Sequence, residues 1–180
     1  MDTFTPLTRL RQAYQQLGTR KQRRYRTIGL TSAAVLTTAA VGSAATDTSS
    51  AWYTSLRKPA IQPPGWGFPL AWTALYIDIA TVVGQTLADL EEQDRVVEHK
   101  KLRDALAVNL VLNTGWSILF FTGKKAGTAT LEAAALAASS AGLVQKTMAV
   151  DSRRGACLLP YAAWTAFATV LSGTIWYQNR

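Results

Sequence analysis

Residues 52–76 read WYTSLRKPAIQPPGWGFPLAWTALY, with three tryptophans, two tyrosines, one phenylalanine and four prolines in one short stretch. Pro59, Pro63 and Pro64 each remove an amide donor and restrict the residue before them, so the first half is predicted to be non-helical. A long apolar run begins after Pro69. The stretch therefore predicts a stiff aromatic loop leading into a membrane helix, and rigid rings beside a bilayer indicate a flat apolar ligand.

Charge is unevenly distributed along the 180 residues, a length typical of one domain. The first 26 residues carry seven Arg and Lys, and residues 89–104 alternate densely in sign. Long segments between these patches carry almost no charge. This pattern is typical of a protein that crosses a membrane several times.

The same composition argues against other function classes. The net charge of +8 does not indicate nucleic-acid binding, because the excess lies mainly in an N-terminal tail of the kind that faces anionic lipid. A single cysteine, Cys157, excludes an internal disulfide, and the single histidine, His99, lies in a charged loop. We expect no metal site and no cofactor. No nucleophile–base pair or phosphate-binding loop is visible.

Five apolar spans follow the tail, each near the ~20 residues that cross a bilayer. They cover residues 28–45, 68–90, 102–122, 128–150 and 156–177. The predicted fold is an all-α integral membrane protein, a five-transmembrane-helix bundle with a Pro/Trp-rich loop between helices 1 and 2.

The two N-terminal segments leave alternatives open. Residues 1–27 form a basic tail that is either an amphipathic helix on the membrane surface or disordered. The first span also resembles a signal peptide, with small residues at 43–45. The favoured interpretation is a membrane helix whose small residues, such as Gly42, allow close helix packing.

The positive charges predict the topology. Fourteen of the nineteen Arg and Lys residues fall on the side of the tail, the second loop and the fourth loop. The positive-inside rule then places the N-terminus in the cytoplasm and the C-terminus outside. The loop of residues 52–66 is predicted to lie outside the cytoplasm.

Helical periodicity sorts the aromatic and polar residues of the spans into stripes. An Asn113 side chain facing lipid would leave its amide unsatisfied, so Asn113 is predicted to face the bundle interior. Interior rings from three helices under an aromatic loop would enclose an apolar cavity suited to a small molecule. The stripes are Phe68, Trp72 and Tyr76; Asn109, Asn113, Trp116 and Phe120; and Tyr161, Trp164, Ala168, Leu171 and Ile175.

Aromatic residues at span ends have a simpler explanation, because Trp and Tyr gather at membrane interfaces. This favours an interface role for Trp176 and Tyr177. Two acids also lie in apolar surroundings. Asp78 falls off the Trp72 face and is predicted to be structural, paired with another helix or a dimer partner. Glu132 is predicted to lie near an interface.

Three blocks of the sequence together resemble the TspO/MBR family, the translocator and tryptophan-rich sensory proteins. The first is the stretch at 52–76, similar to W-Y-x-x-L-x-K-P-x-x-x-P-P-x-W-x-F-P-x-x-W-T-x-L-Y. The second is NLVLNTGWSILFF at 109–121. The third is LLPYAAWTAFATVLSGTIWYQN at 158–179. The blocks occur in order, and the resemblance covers roughly residues 30–180.

The resemblance implies a homodimeric five-helix bundle with a cavity that binds porphyrins, sterols or benzodiazepine-type ligands. We expect an integral protein of a bacterial plasma membrane. Trp72 and Trp164 look like the pair linked in bacterial members to light-driven breakdown of protoporphyrin, and they are the candidate catalytic residues. The residues implied to line the cavity are Trp52, Phe68, Trp72, Tyr76, Asn113, Trp116, Phe120, Trp164, Phe167, Ala168 and Leu171.

Departures from the family pattern are informative. Ile61 stands where the family often has an aromatic ring, and Ser172 replaces a usual Asn. Gly173 and Tyr177 occupy positions where the animal cholesterol motif has Tyr and Arg, so cholesterol binding is not predicted.

Three functions remain open. The first is binding of porphyrins or similar flat ligands for sensing, transport or stress-linked disposal. The second is enzyme-like photo-oxidative degradation of protoporphyrin. The third is a scaffold or stress regulator that binds sterol or lipid, or acts through a partner at the basic tail.

Overall fold

The computed structural model describes the backbone of residues 6–180 and the side chains from residue 18 onward. Residues 6–180 contain helices and no strand, which confirms the all-α prediction. The helices are α1 Pro6–Ala45, α2 Ala51–Ser55, α3 Gly67–Glu92, α4 Val96–Ser117, α5 Ala126–Met148, α6 Ser152–Cys157 and α7 Leu159–Gln178. A π-helical turn, Ile118–Thr122, continues α4.

Four segments of the described chain are long and apolar enough to cross a membrane: Gly18–Ala45, Gly67–Glu92, Val96–Thr122 and Ser152–Gln178. Helix α5 is not among them, so a fifth crossing stays a prediction. Its 23 residues would extend about 35 Å at 1.5 Å per residue, and it packs along α4 and α7.

Helix α1 runs without a break across the predicted boundary between tail and first span at residues 27 and 28. Residues 6–27 of the tail are therefore helical and not disordered. Residues 1–5 lie outside the described chain. The reason is local, because Leu, Arg, Gln, Lys and Ala dominate this stretch and all favour helix.

The loop between α1 and α3 contains the short helix α2, so the prediction of a non-helical first half is wrong for residues 52–55. The hydroxyl of Ser50 accepts a hydrogen bond from the amide of Tyr53 at 3.4 Å and caps this helix. Leu56 is extended, and no helix forms again before Gly67. As predicted, the segment that contains the three prolines is not helical, but one capped helical turn precedes it.

At each end of the bundle, polar contacts join residues that are distant in sequence. At one end, the Asp89 carboxylate of α3 pairs with Arg24 of α1 and Arg154 of α6. We call this the Asp89 end. At the other, the Asn179 end, the side chain of Asn179 binds the backbone of Arg57. The tail, the second loop and the fourth loop lie at the Asp89 end, as the charge count predicts. Which end faces the cytoplasm stays a prediction.

Candidate functional site

A chain of hydrogen bonds between side chains crosses four helices inside the bundle. The Tyr76 hydroxyl donates to Asn113 Oδ1 at 2.6 Å, and Asn113 Nδ2 donates to the Tyr161 hydroxyl at 3.2 Å. That hydroxyl donates to Asn109 Oδ1 at 2.6 Å, and Asn109 Nδ2 donates to Ser140 Oγ at 3.0 Å. Helices α3, α4, α7 and α5 are therefore joined through neutral groups that satisfy one another.

Asn113 is 4% exposed, which confirms the prediction that it faces the interior. Tyr161 and Asn109 are fully buried, yet sequence reasoning placed them on stripes without assigning them to the site. The missed signal was their polarity. A buried phenol or amide in an apolar helix needs a partner, and Ser140 on α5 supplies one.

A first group of aromatic rings, which we call the Trp72 cluster, lies between α3 and α7. Its members are Phe68, Trp72, Tyr76, Trp164 and Phe167. Trp72 stacks on Tyr76 with ring centroids 5.3 Å apart and meets Trp164 edge to face at 6.4 Å. Trp164 also contacts Phe68 at 6.0 Å and Phe167 at 5.6 Å. The two candidate catalytic tryptophans are therefore in direct contact.

A second group, the Phe120 cluster, joins the loop to the end of α4 and comprises Trp52, Tyr53, Trp116, Phe120 and Phe121. Trp116 stacks on Phe120 at 5.2 Å, and Trp52 meets Phe120 edge to face at 5.4 Å. The π-helical turn lets two consecutive rings point inward, since Phe120 is 1% and Phe121 8% exposed.

Ser172 has a role that the sequence did not reveal. Its hydroxyl accepts a hydrogen bond from Trp116 Nε1 at 3.1 Å. The residue that departs from the usual Asn thus orients one of the predicted site residues. Leu171, beside it, is buried against the Phe120 cluster, and Ala168 is half-buried one turn after Trp164.

The structure thus brings the eight aromatic residues of the predicted site into two neighbouring clusters. Phe68 and Phe167 belong to the first and also pack against the core around Phe120. Within each cluster the rings pack on one another. Two concavities of the described chain lie elsewhere, and of the predicted site residues only Trp52 lines either one. Ligand binding by these residues stays a prediction.

The two acids in apolar surroundings both have unpaired buried oxygens. Asp78 Oδ2 and both carboxylate oxygens of Glu132 have no hydrogen-bond partner among the described residues. Glu132 points toward α4, where its Oε1 lies 3.7 Å from the position of a Cβ added at Gly115. A partner for Asp78 on a second protein copy stays a prediction. Within the residues whose side chains are described, no three His, Cys, Asp or Glu side chains converge as metal ligands do.

Comparison with known proteins identifies the family of the chain. The sequence profile of the TspO/MBR family matches residues 30–177. The chain is 35% identical over 140 residues to "Tryptophan-rich protein TspO" of Chlorobaculum tepidum, covering 77% of this chain and 86% of the relative. It is 31% identical over 121 residues to "Tryptophan-rich sensory protein" of Cereibacter sphaeroides, covering 67% and 72%.

A mammalian relative is similar as well. The chain is 28% identical over 132 residues to "Translocator protein" of Homo sapiens, covering 72% of this chain and 75% of the relative. The family profile covers most of the chain, and four of its helices have the length and composition to span a bilayer. The chain is therefore an integral membrane protein that belongs to the TspO/MBR family.

Proposed function

We propose that this protein binds a flat apolar ligand of the tetrapyrrole type, such as protoporphyrin, within its helix bundle. Binding would serve sensing, transport or stress-linked disposal of the ligand. The proposal includes α5 as a fifth membrane crossing, a homodimer, and a bacterial plasma membrane with the N-terminus in the cytoplasm. The names of the relatives, a sensory protein and a translocator, support a role in sensing or transport.

The observation that carries the proposal is the Trp72 cluster beside the polar chain. Trp72 and Trp164 meet as perpendicular indoles, with 90° between their planes, and separation of the rings would offer two faces of different orientation to one ligand. Tyr76 and Asn113 lie directly beside them and offer hydroxyl and amide groups. Rings for stacking and a few neutral polar groups are what a small apolar ligand requires.

Ligand entry requires these rings to separate. Each aromatic pair contributes roughly 0.5–1.5 kcal/mol beyond its buried area, so losing two pairs costs about 1–3 kcal/mol. A macrocycle that stacks on the same indoles replaces those contacts with a larger apolar surface. The exchange is therefore favourable for a large flat ligand and unfavourable for a small one.

Fluorescence quenching tests the proposal. Protoporphyrin is expected to quench tryptophan emission saturably, because its ring would contact indoles directly. Ala168→Trp, which adds a large side chain one turn from Trp164, is expected to prevent saturable quenching. Ala166→Trp is the matched control, since Ala166 lies on the exposed face of the same helix. Equal quenching of both variants and wild type would exclude the bundle site.

The contact between Trp72 and Trp164 also favours a second function, photo-oxidative degradation of bound protoporphyrin. Light absorbed by the porphyrin in the presence of oxygen produces oxidants, and the two indoles are placed to react with them. In this case Trp72→Phe and Trp164→Phe would keep ligand binding but lose the degradation product under illumination. Consumption of porphyrin at the wild-type rate by both variants would exclude this function.

A further inference from the structure

A groove of about 310 Å³ opens at the Asn179 end, outside the predicted site. It lies between the last turn of α7, the start of α5 and the loop that carries Trp52. Its charged lining residues are Lys124, Lys125 and Arg180, and its aromatic ones are Trp52 and Trp176. It thus combines positive charge with indole rings at the level where a membrane helix ends.

The three cations are available to a ligand. All three are exposed, and none forms an ion pair with a carboxylate in the part of the chain whose side chains are described. The exposed carboxylate of Asp47 lies within electrostatic reach of Lys124. The Arg180 guanidinium stacks over the Tyr177 ring at 4.2 Å. The groove therefore carries an excess of positive charge that an anion can neutralise.

The backbone beside the groove has two unusual features. Lys124 has a positive φ of 53°, a conformation that residues with a side chain rarely adopt. Gly127 forms one side of the groove, and an added Cβ there would stand 3.0 Å from Trp176 Nε1. The absence of a side chain lets the Trp176 indole lie against the start of α5.

Trp52 connects the groove to the bundle. It lines the groove, and its ring meets Phe120 edge to face in the Phe120 cluster. Inside the bundle, the polar groups next to the rings are neutral and already paired with one another. A ligand carboxylate buried there would lose its hydration without gaining a cation. On the other side of Trp52, the groove supplies cations that have no carboxylate partner among the described side chains.

We propose that the groove holds the carboxylates of a flat apolar dicarboxylate while its ring enters the bundle past Trp52. This inference rests on the proposed function and adds to it a charge-recognising end. Lys124, Lys125 and Arg180 bind the carboxylates, and Trp52 contacts the edge of the ring. The site therefore selects carboxylated tetrapyrroles over their neutral esters.

The test compares protoporphyrin with its dimethyl ester on full-length protein in nanodiscs of phosphatidylcholine. The variant replaces Lys124, Lys125 and Arg180 by Gln. Its control replaces Lys100, Lys101 and Arg103, three exposed cations at the Asp89 end, by Gln. The groove variant is expected to bind protoporphyrin at least about tenfold more weakly, with less than a twofold change for the ester. The control variant is expected to bind both ligands as wild type does.

Each other outcome counts against the groove. Unchanged protoporphyrin affinity in the groove variant overturns it and leaves the bundle site standing. An equal loss for acid and ester overturns it too, because charge is then not what is recognised. If, in a second set of nanodiscs that also contain phosphatidylglycerol, the variant changes only the retention of that lipid, a lipid headgroup is the anion and the proposal is wrong. If wild type binds neither ligand, the proposed function itself fails.

Discussion

Asn179 and Arg57 lie 122 positions apart and are joined by two hydrogen bonds. The Arg57 amide donates to Asn179 Oδ1 at 2.9 Å, and Asn179 Nδ2 donates to the Arg57 carbonyl at 3.0 Å. The same Nδ2 donates to the Ile175 carbonyl at 2.7 Å. One side chain thus binds a backbone carbonyl in the last turn of α7 and holds the proline-rich segment against that helix.

Asn179→Ala is expected to release this segment from α7. Three hydrogen bonds are lost at a partly exposed site, so the free energy of unfolding should fall by about 1–2 kcal/mol. Limited proteolysis at residues 57–62 should become faster, since the backbone there loses its partner. Gln178→Ala, an exposed neighbour, is the control. Equal cleavage rates in both variants would show that Asn179 does not restrain the loop.

Asn113→Ala is expected to destabilise the bundle interior. It removes the acceptor of Tyr76 and a donor to Tyr161, leaving buried hydroxyls short of partners. The expected loss is about 1–3 kcal/mol, measured by unfolding in mixed detergent micelles. Val111→Ala, on the exposed face of the same helix, should change stability far less. A similar loss for the two variants would contradict a special role for the polar chain.

Gly155→Ala is expected to force α6 away from the end of α5. An added Cβ would stand 2.2 Å from Met148 Cγ and 2.6 Å from the Met148 amide nitrogen. The expected cost is about 1–3 kcal/mol, and Met148→Ala should not restore stability because the clash includes main-chain atoms. Gly29→Ala has open space around it and should be neutral or stabilising. Thermal unfolding in detergent measures both.

Asp89→Asn is expected to loosen the Asp89 end. It removes the negative partner shared by Arg24 and Arg154, which are only partly exposed. The expected loss is about 1 kcal/mol at low salt and smaller at high salt, where the ion pairs of wild type are screened. Asp104→Asn breaks an exposed pair with Arg103 and is the control. A loss of equal size at all salt concentrations would exclude an electrostatic cause.

Several features of the fold followed from local chemistry. Residues 28–45, 68–90 and 102–122 were predicted as helical because apolar runs of that length can satisfy their backbone only as helices. Asn113 was placed inside because lipid offers its amide no partner. The loop prediction is wrong at residues 52–55 because the prolines begin only at Pro59 and the hydroxyl of Ser50 caps one helical turn ahead of them.

Other features depend on departures from regular geometry. A constant period of 3.6 residues puts Phe120 on the face of Asn113 and Trp116, and turns Phe121 away from it. The π-helical turn at Ile118–Thr122 changes the register, and both rings are buried. Nothing in the sequence of that turn signals the change, because it is stabilised by the rings it packs against.

The sequence by itself determined four membrane helices, the family and the inward face of Asn113, because span length, motif order and the cost of an unpaired amide do not depend on how the helices pack. Only the tertiary structure decided which stripes meet. It showed that Trp72 contacts Trp164, that Ser172 binds Trp116, and that three cations share a groove with Trp52. These contacts join residues far apart in the chain, and they follow from how whole helices pack.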